Sequence, residues 1–313
     1  MFDRMLFATS ASATCDDAAR VAFELSRKNH SKLNVFHVFG LPSRGFGLTY
    51  QDVRTGEASE VDDNLVSLVK EEMQQYYEKQ AKDHPSCVFE TATGVPHTEI
   101  LRKARKEDAD LIIMGAHTRP EDVGAMRHRL IAGSTMQKVA KSARCPVLIV
   151  SRPCVTCWSY FANIVVATDF SKPSDYAFQF ARNVAKEIGC RLHVFHCVDL
   201  GGENEPGQSY IEQQLAAAEK KVQDKYVANM GDFDNYVIAL REGNPHVEVL
   251  KYARENKADL IAMAHHTKDI DPEKAMLGST IEQVVLRSAC PVLSVNHPDK
   301  VDVSPYGQPR AGE

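Results

Sequence analysis

Leu33-Asn34-Val35-Phe36-His37-Val38 returns as Leu192-His193-Val194-Phe195-His196-Cys197, 159 residues further on. Met5-Leu6-Phe7-Ala8-Thr9 returns at the same separation as Ile164-Val165-Val166-Ala167-Thr168. Gly94-Val95-Pro96-His97 meets Gly243-Asn244-Pro245-His246, and Ala109-Asp110-Leu111-Ile112 meets Ala258-Asp259-Leu260-Ile261, both at 149 residues. Gly133-Ser134-Thr135 meets Gly278-Ser279-Thr280, and Cys145-Pro146-Val147-Leu148 meets Cys290-Pro291-Val292-Leu293, both at 145. Six matches in one order make the chain two copies of a single unit. The shrinking separation assigns the first copy 10 extra residues after its second strand and 4 more after its fourth.

Inside each copy the apolar period alternates between helix and strand. Ala18, Val21, Ala22 and Leu25 follow the spacing of one helix face, as do Ala177, Phe180, Ala181 and Val184. Ile100, Leu101 and Ala104 match Val249, Leu250 and Ala253 on a third helix. Ile211, Leu215, Ala218, Val222 and Tyr226 mark a long second helix, with a counterpart expected near residues 60–82. Leu111–Met114, Val147–Val150, Leu260–Ala264 and Val292–Val295 are apolar throughout, as strands covered on both faces are. Each copy therefore reads βαβαβαβαβ, which implies a mostly parallel sheet with helices on both faces. The expected domains are 1–151 and 161–296, joined by a linker at 152–160 and followed by a flexible tail at 297–313. The Cys-Pro pairs stand where the last strand of each copy begins, a position that tolerates proline.

A length of 313 residues suits two domains of about 100–200 residues each. The chain is 43% hydrophobic and 25% charged, the composition of an ordinary globular protein. A net charge of −5 gives no general attraction to nucleic acid or to anionic lipid. No apolar run approaches the roughly 18 residues of a membrane span. Met1 to Arg4 lead directly into a strand-like segment rather than a signal peptide, so a cytoplasmic location is expected. Six scattered cysteines, Cys15, Cys87, Cys145, Cys190, Cys197 and Cys290, are then expected as free thiols.

The ordered set of Asp-Leu-Ile-x-Met, a Gly-x-His turn, a Gly-Ser helix start and Cys-Pro-Val-Leu resembles the universal stress protein family. The resemblance runs once through each half and covers nearly all of residues 1–296. It implies an α/β fold of two tandem doubly wound five-stranded parallel sheets, Rossmann-like, with strand order 3-2-1-4-5. It also implies an internal pseudo-dimer of the two halves, and a homodimer of the two-domain chain. In open sheets of this kind a ligand lies beyond the carboxyl ends of the strands where the order reverses, here between strands 1 and 4. ATP-binding members of the family carry an Asp after strand 1. After strand 4 they carry a glycine, two residues, a second glycine, nine residues, and then Gly-Ser or Gly-Thr. Glycines let a backbone approach phosphates, and a helix N-terminus suits an anion.

Both halves depart from that pattern. In the first, Ser10 replaces the Asp, Gly115 matches the first glycine, and Thr118 stands at the second. Fourteen residues then precede Gly133-Ser134-Thr135, among them Arg119, which brings a positive charge. In the second, Asp169 is present, but Ala264 and Thr267 replace both glycines, and ten residues precede Gly278-Ser279-Thr280. Val38 and Cys197, at the ends of the second strands, correspond to the family's backbone contacts with adenine. The resemblance thus marks Ser10, Val38, Gly115, Arg119, Gly133, Ser134, Thr135, Asp169, Cys197, Gly278, Ser279 and Thr280 as binding candidates, with ATP and Mg²⁺ as the implied ligand. Two readings of the Gly-Ser-Thr starts stay open: helix caps that need no ligand, and N-termini that hold phosphate.

His37, His117, His193, His196, His265 and His266 are expected near the carboxyl edge of the sheets, as hydrogen-bonded residues rather than as a metal site. Cys154-Val155-Thr156-Cys157 lies in the linker, where incidental thiols, a redox pair and a metal site are all conceivable. No catalytic triad, carboxylate pair, P-loop or zinc hydrolase motif is present, so no catalytic or metal-ligating residue is assigned. Three functions are compatible with the sequence: a nucleotide- or anion-sensing module of the stress response, a stress scaffold with an unknown protein partner, and a weak ATPase.

Overall fold

The computed structural model describes residues 2–39, 41–42, 48–51, 58–60, 62–82, 84–116, 134–151, 161–199, 207–264 and 280–301. These fall into two compact units, one built around residues 2–143 and the other around residues 161–301.

The first unit runs β1 (Arg4–Thr9), α1 (Asp16–Asn29) and β2 (Lys32–Phe39). Three short strands come next, β3 (Leu41–Pro42), β4 (Leu48–Gln51) and β5 (Ala58–Glu60), then α2 (Asp63–Tyr76) and α3 (Glu78–Ala81). The unit ends with β6 (Cys87–Thr93), α4 (Pro96–Lys106), β7 (Leu111–Gly115), α5 (Ser134–Ser142) and β8 (Val147–Val150). The main sheet has the order β6-β2-β1-β7-β8, which is 3-2-1-4-5 once the insertion is set aside, and every described pairing in it is parallel. The insertion is a separate antiparallel sheet of β3, β4 and β5, lying where the repeat offset placed the extra residues.

Among the described residues, the second unit repeats the pattern without the insertion. Its elements are β9 (Asn163–Thr168), α6 (Lys172–Ile188), β10 (Arg191–Val198), α7 (Gln208–Lys225), β11 (Tyr236–Glu242), α8 (Pro245–Glu255), β12 (Leu260–Met263), α9 (Thr280–Arg287) and β13 (Val292–Ser294). The sheet order is β11-β10-β9-β12-β13.

Both faces of each sheet are covered. Phe7 on β1 meets the Tyr77 ring at the α2–α3 junction, with centroids 5.8 Å apart. Phe36, whose strand neighbour Val35 is the register partner of Phe7, points the other way, toward Lys103 on α4. Residues facing helices on both sides explain why β1, β7 and β8 are almost wholly buried.

The repeated residues do the same work twice. The Asp110 carboxylate accepts the backbone N–H groups of Asp3 and Arg4, both at 2.9 Å. Asp259 accepts those of Ala162 and Asn163, at 2.8 and 3.0 Å. Each Asp therefore joins the start of the fourth strand to the start of the first. Gly94 and Gly243 adopt φ of +137° and +125°, which side chains rarely allow, and turn the chain into the proline-opened helices α4 and α8. Past Asn296 the chain stays packed as far as Val301, which is buried and whose carbonyl accepts the Asn183 amide at 3.3 Å.

Candidate functional site

At the carboxyl end of β1, Thr9 is the last residue paired with β2, opposite His37. Its hydroxyl lies 2.6 Å from the buried Tyr77 hydroxyl and accepts the Ala11 N–H at 2.9 Å. Thr168 repeats this with Tyr226 at 2.5 Å and the Phe170 N–H at 3.0 Å. Because Tyr226 also donates to Asp175 at 3.0 Å, Thr168 must be the donor in its pair. Burial raises the pKa of both tyrosines, so they act as neutral props under the strand end.

Beyond this prop the first half opens into a cavity of about 150 Å³. Ser10 and Cys15 form one wall, and Val38, one residue past the last β1–β2 pair, forms another. Gly115 ends β7 and Thr135 lies in the first turn of α5, so both strand 1 and strand 4 feed this space. The remaining lining is largely apolar, including Ile100 and Met136. This is the crevice at which the strand order reverses.

Gly115 has a packing role of its own. A Cβ there would sit 3.1 Å from the Thr14 carbonyl oxygen and 3.6 Å from Cys15 Sγ. Cys15, expected from the sequence only as a free thiol, is therefore a crevice residue. The legible signal was its repeat mate: Cys15 with Gly115 corresponds to Ser174 with Ala264.

The strand-1 ends differ in charge. Ser10 Oγ lies 2.8 Å from Ser12 Oγ and 3.2 Å from Cys15 Sγ, and Ser12 Oγ lies 2.9 Å from Thr14 Oγ1. That is a chain of hydroxyls and one thiol. In the second half Asp169 Oδ1 accepts the Ser171 N–H at 3.0 Å and the Ser174 hydroxyl at 2.5 Å, holding the start of α6. Ser171 is the N-cap of that helix.

His37 and His196 each donate Nδ1–H to the carbonyl of the strand-1 threonine, at 2.8 Å. Burial lowers the pKa of both rings, with the carbonyl bond opposing it, so the neutral form dominates at neutral pH. His193 departs from the expected carboxyl-edge group. It is the third residue of β10, near the amino end, where Tyr252 Oη lies 2.8 Å from Nδ1 and Asn163 Oδ1 lies 3.1 Å from Nε2. Cys197 is buried, its thiol directed to the Gly243 carbonyl at 3.4 Å and its pKa pushed up to about 12 by burial, so it is an inert thiol.

The cavity thus brings together Ser10, Val38, Gly115 and Thr135 in the first half, while Asp169, Cys197 and Thr280 stand at the repeat-equivalent positions of the second. Ser134 opens α5, and its side chain lies outside the described residues. Arg119, Gly133, Gly278, Ser279, His117, His265, His266, Cys154 and Cys157 also lie outside them. Cys15, Cys87, Cys190 and Cys197 are free thiols. Among the described residues no group of three or more His, Cys, Asp or Glu could hold a metal ion, and no helix is long and apolar enough to cross a membrane.

The molecule is thus a tandem, doubly wound α/β protein with a switch-point crevice. The sequence profile of the universal stress protein family matches residues 1–151 and 161–296, and the chain belongs to that family. A universal stress protein of Methanocaldococcus jannaschii is 32% identical over 145 residues, which is 45% of this chain and 85% of the relative. The solved structure of a universal stress protein from Archaeoglobus fulgidus superimposes with a TM-score of 0.64 at 23% identity, covering 93% of this chain and 97% of that one. A protein of unknown function from Pseudomonas aeruginosa does so with a TM-score of 0.59 at 16% identity, covering 96% and 94%. At those identities the two structures show a shared fold.

Proposed function

We propose that the chain is a ligand-sensing module of the stress response that binds an adenine nucleotide in the strand 1/strand 4 crevice of its first half. The observation that carries this reading is the cavity of about 150 Å³ bounded by Ser10, Val38, Gly115 and Thr135. Whole small-molecule ligands fill pockets of roughly 300–1,000 Å³, so this cavity takes only part of one. An apolar-lined space of that size suits the heteroaromatic base, with Val38 offering backbone groups and ribose and phosphates running outward toward the start of α5. There the free N–H groups and the positive end of the helix suit an anion.

The resemblance implies Mg²⁺ as well, and the first-half donors do not fit it. Mg²⁺ is held through one or two carboxylates together with substrate phosphates. The described lining of this cavity offers hydroxyls, a thiol and an imidazole, but no carboxylate.

A second reading rests on a specific observation in the other half. Asp169 Oδ1 already caps the entrance to α6, and Ala264 stands where a phosphate-approaching glycine is needed. That half then acts as a scaffold surface for a protein partner, and a homodimer of the two-domain chain is part of the same proposal. Gly133→Val with Ser134→Val tests the main reading. The double variant is expected to lose at least tenfold in ATP affinity while keeping the circular dichroism of the parent chain. Unchanged affinity would refute nucleotide binding by the first half.

A further inference from the structure

We infer that the outer face of α4 and α5 in the first half is a docking surface for an acidic segment of a partner protein. The two halves supply the comparison. α4 carries four cations, Arg102, Lys103, Arg105 and Lys106, against one anion, Glu99, and α5 carries Lys138 and Lys141 with no anion. The repeat-equivalent helices are balanced: α8 holds Lys251 and Arg254 against Glu248 and Glu255, and α9 holds Arg287 against Glu282. By those counts the helix pair has a net charge of +5 in one half and zero in the other, in a chain whose net charge is −5.

Ion pairs within the first half use up only part of that charge. Arg102 pairs with Glu99 at 2.7 Å, and Lys103 pairs with Glu107 at 2.8 Å and with Glu90. Arg105, Lys106, Lys138 and Lys141 have no ion pair among the described residues. The first three are exposed and Lys141 is half-buried. α4 and α5 pack side by side, and Lys138 is near enough to His97 on α4 to add to the burial that lowers that ring's pKa. The fold does not demand these cations. α8 ends on Glu255 where α4 ends on Lys106, and Lys138, near the amino end of α5, gains nothing from the helix dipole. Arg102 with Lys106, and Lys138 with Lys141, are like-charge neighbours one turn apart, which costs helix stability until an anion meets them.

A protein's carboxylates fit this face better than other polyanions do. Neither helix has a Phe, Tyr or Trp on which bases could stack. None of the large exposed apolar side chains among the described residues lies on α4 or α5, so nothing described there anchors into a bilayer. Four unpaired cations fall below the roughly 6–10 phosphate contacts through which a protein grips duplex DNA. They do match a few carboxylates along an acidic segment, and the Arg105 guanidinium can take one of these bidentately.

The full chain is titrated against a fluorescein-labelled oligoglutamate, an oligothymidylate of equal charge, and vesicles of phosphatidylcholine with phosphatidylserine, at low and at physiological salt. Oligoglutamate is expected to bind most tightly of the three, and to weaken as salt screens charges more than about 8–10 Å apart. Arg105→Glu with Lys141→Glu is expected to weaken it about tenfold. Lys251→Glu with Arg254→Glu makes the same change in net charge on the second half and is expected to alter it less than twofold, which separates this surface from overall charge. If the first reversal does not fold, Arg105→Gln with Lys138→Gln decides, with a loss of about threefold expected. No binding of oligoglutamate, or equal losses in the first-half and second-half variants, overturns the docking surface. Tighter binding of oligothymidylate or of the vesicles overturns an acidic protein segment as its occupant. None of the substituted residues lines the crevice, so every outcome is independent of nucleotide binding there.

Discussion

At the scale of single residues, the two halves keep their volume by trading atoms between neighbours. Gly115 leaves room for the larger sulfur of Cys15, whereas Ala264 is matched with the smaller hydroxyl of Ser174. Gly115→Ala is accordingly expected to destabilise the chain by about 1–3 kcal/mol through overpacking against the Thr14 carbonyl and Cys15. Adding Cys15→Ser should recover part of that loss, and urea denaturation of the single and double variants measures the coupling. Strict additivity would contradict this compensation. A second exchange surrounds the paired histidines. Phe39 stacks near His37, with centroids 6.1 Å apart, in the half where Ala11 follows the strand end. In the other half Phe170 packs on His196 at 4.2 Å, and Val198 takes the place of Phe39. Such trades were latent in the repeat alignment, but only contact distances turn a pair of unlike residues into a compensating pair.

At the scale of elements, the shared Asp-Leu-Ile segment is a strand-to-strand clamp. Asp110→Ala removes an acceptor from two N–H groups that water can partly satisfy, so a loss of about 0.5–1.5 kcal/mol is expected. Asp259→Ala should cost a similar amount. Hydrogen exchange at Asp3 and Arg4 in the first case, and at Ala162 and Asn163 in the second, reports each clamp separately. Faster exchange in both halves after one substitution would contradict a local clamp. The main helices were legible because their apolar residues keep a period over eight or more positions, as on α1 and α6, and the main strands because they recur in both halves or are apolar throughout. The small sheet of β3, β4 and β5 was not, since strands of two to four residues are too short to show any period. His193 was misplaced for a related reason. The pattern announces a strand but not how far along it the carboxyl edge begins.

At the scale of the whole molecule, several histidines set one pH dependence. His37, His84, His97, His193, His196 and His246 all have lowered pKa values, with burial as the leading cause each time. A group whose folded pKa is depressed binds its proton more readily when unfolded. Its stability contribution is therefore complete above the unfolded value of about 6.5 and is lost as the pH falls toward the folded value. The urea midpoint should drop between pH 7.5 and pH 5.5, and His193→Asn, which installs the residue found at position 34, should flatten that slope. A midpoint that rises on acidification would contradict the burial argument.

The candidate site was legible in part. Ser10, Val38, Gly115 and Thr135 could be named from the repeat and the resemblance, but their enclosure of one cavity is a property of the fold. Cys15 entered only through that enclosure. Whether the cavity serves a nucleotide is tested most directly by denaturing freshly purified protein and identifying the released small molecules by mass spectrometry. Nucleotide binding by the first half predicts an adenine nucleotide at close to one per chain, lost in the Gly133→Val, Ser134→Val variant. Release of no nucleotide, joined by no calorimetric heat up to millimolar ATP with or without Mg²⁺, would contradict it.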